Sequence, residues 1–261
     1  GIPELFVVPP GEQEIYQTNP TGSRWGEVFL VIDKLLKRAD FLFPKRSRQR
    51  AIALAMDWSI ERLNGEDGLG GIYPAMAAIV MAFDALGYPA DDPRVVMAKR
   101  ATRKLLTVDG ERAYCQPCLS PIWDTGLAAH ALLEAGEAGD SHAVKGALDW
   151  LVEREVTDVV GDWAAQRPGL APGGWAFQYA NPHYPDVDDT AVVAMALDRA
   201  GAPEHRAAIR RATDWIIGMQ SKNGGWGAFD ADNTKYYLNH IPFADHGALL
   251  RQGQRHSPPN T

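Results

Sequence analysis

Three carboxylates stand within four residues, Asp186, Asp188 and Asp189, directly ahead of the apolar run Ala191-Val192-Val193-Ala194-Met195-Ala196-Leu197. Set against so apolar a pattern they repel one another and lose hydration if buried, and both effects favour the protonated acid. At least one of the three is therefore expected to stay neutral near neutral pH. A neutral carboxylic acid can donate a proton, so the chemistry on offer is general-acid catalysis. The plainer reading is a helix N-cap and first turn, with Asp at the favoured end of the helix dipole and exposed to water.

The rest of the chain must supply a dry seat for that acid. With 261 residues, 46% of them hydrophobic, it is long enough for a substantial core and for one or two domains. The net charge of −7, with Lys45-Arg46-Ser47-Arg48-Gln49-Arg50 as the one basic cluster, argues against nucleic acid as a partner, although that patch could face anionic lipid. Cys115 and Cys118 form a lone C-x-x-C with no second pair and no His at finger spacing, which reads as a reduced, structural pair. No apolar run reaches the roughly 18 residues of a spanning helix, and no signal peptide opens the chain. The first residue is not Met, and a fragment of a longer protein is expected.

Residues 1–22 are turn-rich and read as a connector. A helix follows over Val28–Leu36 and stops at Phe41-Leu42-Phe43-Pro44, since proline disfavours helix in the residue before it. The Phe-Leu-Phe is a candidate for membrane contact, with packing under a neighbouring helix the favoured expectation.

Beyond this point the sequence repeats itself. Helices ending in Gly run over Ala75–Gly87, Asp124–Gly136 and Asp189–Gly201; the last two align without a gap at an offset of 65 and share seven of thirteen residues. Their partners are Arg50–Leu63, Pro93–Leu106, His142–Val156 and Glu204–Gln220. The first set is apolar nearly all round, as inner helices should be, and the second is amphipathic, as outer helices should be. Alternating inner and outer helices describe an all-α fold, an α/α toroid, and no sustained period-two alternation interrupts it. Glycine- and tryptophan-rich loops separate the hairpins, notably Pro172-Gly173-Gly174-Trp175 and Gln220-Ser221-Lys222-Asn223-Gly224-Gly225-Trp226. In the latter, Gln220 can bond backbone groups of the loop and Trp226 can cover the outer helix ends, a staple between hairpins; carbohydrate stacking is the functional alternative.

These residues resemble a known family. Arg211-Ala212, Trp215-Ile216, Gln220 and Gly225-Trp226 match the QW repeat of triterpene cyclases, and Lys145-Gly146, Trp150-Leu151 and Gly174-Trp175 form a stretched version with acidic residues in place of the Gln. Asp186-Val187-Asp188-Asp189-Thr190 is similar to the acid motif of squalene–hopene cyclases, and Ser120-Pro121-Ile122-Trp123-Asp124-Thr125 to another of their segments. The resemblance implies protonation-initiated cyclisation of squalene to hopene or hopanol, with no metal and no cofactor. It makes Asp188 the proton donor, with Asp186 and Asp189 orienting it and titrating with it as a coupled set. It assigns the stabilisation of cationic intermediates to Trp123, Phe177, Phe229 and Tyr73, whose ring faces attract positive charge without removing a proton. Asp124, the repeat counterpart of Asp189, is expected to cap its helix. The resemblance also implies a peripheral, monotopic enzyme on the cytoplasmic side of the membrane and leaves room for a homodimer of the full-length protein. Ile241-Pro242-Phe243 resembles part of the family's substrate channel.

The resemblance places the end of one α/α barrel in residues 1–118, the start of a second, carrying the acid motif, in 119–250, and an off-pattern tail in 251–261. The family's histidine that bonds the acid motif has no counterpart in this sequence. Cyclisation of another linear terpene and a non-catalytic helical-repeat module whose acidic loop holds a cation or partner are the alternatives; calcium at Asp230-Ala231-Asp232-Asn233 is weaker still, lacking the glycine and glutamate of an EF-hand loop. An incomplete toroid exposes inner helices, so the isolated 261-residue polypeptide is expected to self-associate and to make no cyclised product from squalene. Size-exclusion chromatography and product analysis check this, and robust hopene formation by the polypeptide alone would refute it.

Overall fold

The structure, a computed structural model, describes Asn19 and residues 22–232. The expected tail at 251–261, the channel-like Ile241-Pro242-Phe243 and most of the expected connector lie outside the described residues. These fall into two compact units divided after Arg48.

The first unit contains α1 (Arg24–Ala39), longer at both ends than expected, and a 3₁₀ turn at Asp40–Leu42. Phe41, Leu42 and Phe43 are 83%, 68% and 56% exposed, so the packing expected for them does not form among the described residues.

In the second unit the inner helices are α3 (Tyr73–Ala85), α5 (Pro121–Glu134) and α7 (Val187–Ala200). The outer ones are α2 (Lys45–Glu61), most of which belongs here, α4 (Pro93–Lys104), α6 (His142–Val152) and α8 (Arg206–Gly218). Inner helix packs on its outer partner and α5 packs on α7, which is the construction of an α/α toroid. The principal core lies among α5 to α8, where Ile122, Ala129, Val144, Leu148, Leu151, Val193, Leu197 and Ala212 close around the buried Trp175. Met56, Ile79, Phe83, Val95 and Ala98 form a second cluster between α2, α3 and α4.

Sequence dictates where the inner helices stop. Gly87, Gly136 and Gly201 follow α3, α5 and α7 with φ of 73°, 95° and 73°, the left-handed conformation that costs glycine nothing. At Gly201 the amide closes α7 on the carbonyls of Leu197 and Asp198. The outer helices are tied down by their tryptophans. The Trp226 indole donates to the Ile216 carbonyl at 2.7 Å and the Trp175 indole to the Leu151 carbonyl at 2.7 Å, each in the last turn of the preceding outer helix. Gln220 Nε2 reaches the Gly224 carbonyl at 2.8 Å. Both roles expected for Gln220 and Trp226 are therefore present. In the stretched repeat, where no Gln is available, Glu155 instead receives the Arg211 guanidinium through both oxygens.

One element departs from the helical expectation. Leu106–Asp109 and Arg112–Cys115 form an antiparallel hairpin, β1 and β2, where the sequence pattern runs helix on to Leu106. Its strands are four residues long and exposed throughout, too short and too little buried to show a period of two. Gly110, first of the two loop residues, takes the positive φ that such a turn needs. Cys115 in β2 and Cys118 are both reduced.

Trp175→Phe is expected to lower stability by about 2 kcal/mol, because the centre of the core loses a ring's worth of packing and the Leu151 carbonyl loses the indole, keeping the Arg154 amide as donor. The midpoint of urea unfolding measures this; an unchanged midpoint would remove the indole from any structural role.

Candidate functional site

The acid motif opens α7 and is held by backbone from two loops. Asp186 is the N-cap, its Oδ1 accepting the Asp189 amide at 2.7 Å from an extended backbone. Its own amide donates to the Trp175 carbonyl at 2.9 Å, completing an antiparallel bridge. One residue on, the Val187 amide donates to Ala228 O at 2.9 Å. Thr190 closes the turn: its hydroxyl donates to the Asp186 carbonyl at 2.5 Å and accepts the Trp175 amide at 3.0 Å. Gly174 makes this approach possible, since a β-carbon there would lie 2.7 Å from the Thr190 hydroxyl.

The seat is dry at two of its three carboxyls. Asp186 and Asp189 are 3% and 4% exposed, and Asp186 Oδ2 and Asp189 Oδ1 are buried with no hydrogen-bond partner among the described residues. Burial, followed by the negative charge of Asp189, raises the Asp186 acid far above the ordinary carboxylate range. Burial likewise raises Asp189, against its bond with Asp186, and the charges of Asp188 and Asp124 add to the rise. Asp188 projects from the same turn and is half-buried. The acid that burial keeps protonated is thus the Asp186 and Asp189 pair flanking the residue expected to donate.

Residues 1–111 match the family model for the squalene-hopene cyclase N-terminal domain, and residues 119–255 that for the squalene-hopene cyclase C-terminal domain. The chain belongs to the squalene–hopene cyclase family. It is 54% identical over 262 aligned positions to the squalene–hopene cyclase of Zymomonas mobilis, covering 95% of this chain and 39% of that relative. A probable squalene–hopene cyclase of Sinorhizobium fredii is 53% identical, with 96% and 39% covered. The dammaradiene synthase of Dryopteris crassirhizoma is 36% identical, with 95% and 36% covered. The chain spans about two fifths of the length of the bacterial relatives it matches.

Three of the four aromatic residues singled out by the family pattern are carried to the acid motif by backbone. Phe177 lies two residues beyond Trp175, and its carbonyl accepts the Ile122 amide at 3.2 Å, which ties the backbone next to Trp123, in the first turn of α5, to the same loop. Phe229 follows Ala228, and its ring meets that of Tyr184 edge to face at 6.5 Å. All three rings are half-buried. Tyr73 stands elsewhere, 45% exposed and lining a hollow of about 1190 Å³ between α3, α4 and the hairpin together with Val80, Met81, Val96 and Leu106.

Asp124 departs from its expected role. Ser120 is the N-cap of α5 and makes no side-chain capping bond; Asp124, exposed in the first turn, accepts the Ser120 hydroxyl at 3.2 Å instead. The match to Asp189 is one of sequence position, while the capping job in α7 falls to Asp186, whose counterpart 65 residues earlier is Pro121. Asp232, in the segment weighed for calcium, accepts the Lys222 amide and the Arg167 guanidinium, and among the described residues no three His, Cys, Asp or Glu side chains converge on a metal site. Sequence reasoning missed Arg62, Asp162 and Tyr184, which bond to one another just ahead of the acid motif. They lie 100 and 22 residues apart along the chain, and no local pattern links them.

Because the Asp186 and Asp189 pair binds protons more tightly folded than unfolded, its stabilising contribution is complete below the ordinary carboxylate range. It is lost as pH rises through their raised folded values. The unfolding midpoint is therefore expected to fall on going from mildly acid to mildly alkaline buffer. Asp186→Asn, which keeps a capping side chain but cannot ionise, should flatten that dependence; a slope unchanged by the substitution would place the protons elsewhere.

Proposed function

We propose that this chain carries the acid-bearing part of a cyclase that protonates squalene and folds it into hopene or hopanol. The observation that carries this is the pair of buried carboxyl oxygens on Asp186 and Asp189, at either side of Asp188, that have no hydrogen-bond partner among the described residues. Alkene protonation needs a strong acid kept from bulk water and aimed at one carbon. Asp188 in its protonated form transfers its proton to the terminal double bond, leaving a carboxylate and a tertiary carbocation; the proton retained by the Asp186 and Asp189 pair can hydrogen-bond that carboxylate as it forms. The positive charge then moves along the polyene past Trp123, Phe177 and Phe229, each ring face contributing about 0.5–2 kcal/mol of stabilisation. Loss of a proton gives hopene, and capture of water gives hopanol. Tyr73 serves the same purpose at a separate part of the wall.

Squalene is a bilayer solute, and the enzyme takes it from the cytoplasmic membrane surface as a monotopic protein, singly or as a homodimer. The exposed Phe41, Leu42 and Phe43, followed by Lys45, Arg46, Arg48 and Arg50, support this reading: an apolar tip to enter the lipid and cations for its anionic headgroups. No helix among the described residues is long and apolar enough to cross a membrane. A second reading, cyclisation to a different skeleton, has behind it only the 36% identity to a relative named for another product, dammaradiene, against 54% to a squalene–hopene cyclase.

A chimaera in which this chain replaces the matching stretch of the Zymomonas mobilis relative tests both. The unsubstituted chimaera is expected to convert squalene to pentacyclic product, whose skeleton separates the two readings. Asp188→Asn is expected to abolish turnover, by about a thousandfold or more, with the fold retained by circular dichroism. Undiminished turnover would discard the assigned donor.

A further inference from the structure

Next to the acid motif along the chain lies a set of part-buried polar contacts that neither the family pattern nor the proton transfer assigns. Arg62, just past the end of α2 and 8% exposed, donates through Nε and Nη2 to both oxygens of Asp162, at 3.1 and 2.5 Å. The same guanidinium is held by the Trp58 carbonyl at 3.0 Å, by Glu61, and by the Trp58 ring, whose centroid is 4.1 Å away. Asp162 Oδ2 also accepts the Tyr184 hydroxyl at 2.5 Å. Tyr184 precedes Pro185 and Asp186, and its ring rests against Phe229.

We propose that Arg62, Asp162 and Tyr184 are positioning residues that lock the turn carrying Asp186, and with it the Phe229 ring, in the dry seat proton transfer requires. The proposal rests on the cyclase reading given above.

The geometry favours a fixed lock over incidental packing. A bidentate Arg–carboxylate pair has one good arrangement, and Asp162 has both oxygens committed to it. Asp162 is faced by Arg62, Tyr184 and His183, and its own amide donates to the His183 carbonyl at 3.2 Å, a second tie to the residues just before the motif. Burial works to raise Asp162, but the bonds from Arg62 and Tyr184 outweigh it and hold the carboxyl below its ordinary range. Burial and then the bond to Asp162 push the Tyr184 phenol well up, so it stays a donor throughout the working range. The lock therefore keeps one charge state while the acid pair, faced by Asp188 and by Asp124 from α5, titrates. Releasing Tyr184 frees the chain immediately before Pro185, the simplest route for water to reach Asp186.

The test uses the chimaera and the infrared carbonyl band of protonated carboxyls, titrated without substrate. Tyr184→Phe removes one hydroxyl and keeps the ring. It is expected to move the band's midpoint to lower pH by about one unit and to lower kcat about tenfold with KM within about twofold, the thermal midpoint staying above the assay temperature. Asp162→Asn should do the same, and the double variant should be no worse than the more severe single one, since both break the same lock. Arg62→Lys, which keeps the charge but not the fork, should give a smaller shift in the same direction. A band that titrates unchanged in Tyr184→Phe and Asp162→Asn overturns the proposal whatever the turnover, and so does a displaced band with kcat undiminished. Absence of cyclised product from the unsubstituted chimaera would count against the cyclase reading alone, while the band still decides whether these residues hold the acid pair.

Discussion

Everything at this site follows from putting the Asp186 side chain at the one place where it must be both a helix cap and buried. As a cap it has one oxygen turned to the Asp189 amide, and as part of a bridge to Trp175 its backbone cannot swing out to solvent. The other oxygen is left in a dry space beside Asp189. Two carboxyls so placed cannot both ionise cheaply, and the proton they retain is a product of backbone geometry as much as of side-chain chemistry.

That geometry is assembled from parts far apart in sequence. The Trp175 loop reaches the motif because Gly174 has no side chain, and the Ala228 loop reaches it through a single amide. Each loop is anchored by an indole to the outer helix before it, so helical packing and loop position are parts of one arrangement. The aromatic residues arrive by the same route: Phe177 and Phe229 sit one or two positions beyond the residues that bond the motif, and Trp123 is brought in by the Phe177 carbonyl. Membership of the squalene–hopene cyclase family accounts for the presence of these residues; the hydrogen bonds account for their meeting.

Much of this was legible in the sequence because it repeats. Glycine-terminated apolar helices alternating with amphipathic ones, and a Gly-Trp pair after the outer helices, recur often enough that period and position alone give the architecture. What was not legible had no repeat to reveal it. The hairpin at Leu106–Cys115 is too short for its alternation to register, and the exposure of Phe41 to Phe43 depends on what lies over them, which composition does not tell. Asp124 misled because aligned residues share a position along the helix without sharing a partner: the cap at the matching end of α7 comes from Asp186, three residues earlier. The burial of Asp186 and Asp189 with Asp188 left half-exposed is likewise a matter of which side of the first turn faces the loops, and three aspartates within four residues look alike on paper.

The indole of Trp175 hangs its loop from the last turn of α6, while the residue it pairs with begins α7. The turn that carries the acid pair therefore takes its bearings from a helix on the outer layer. Substitutions on the solvent side of α6 that tilt its final turn would be felt at Asp186 as a change in acidity, so drift on the outside of the molecule reaches the motif without touching it.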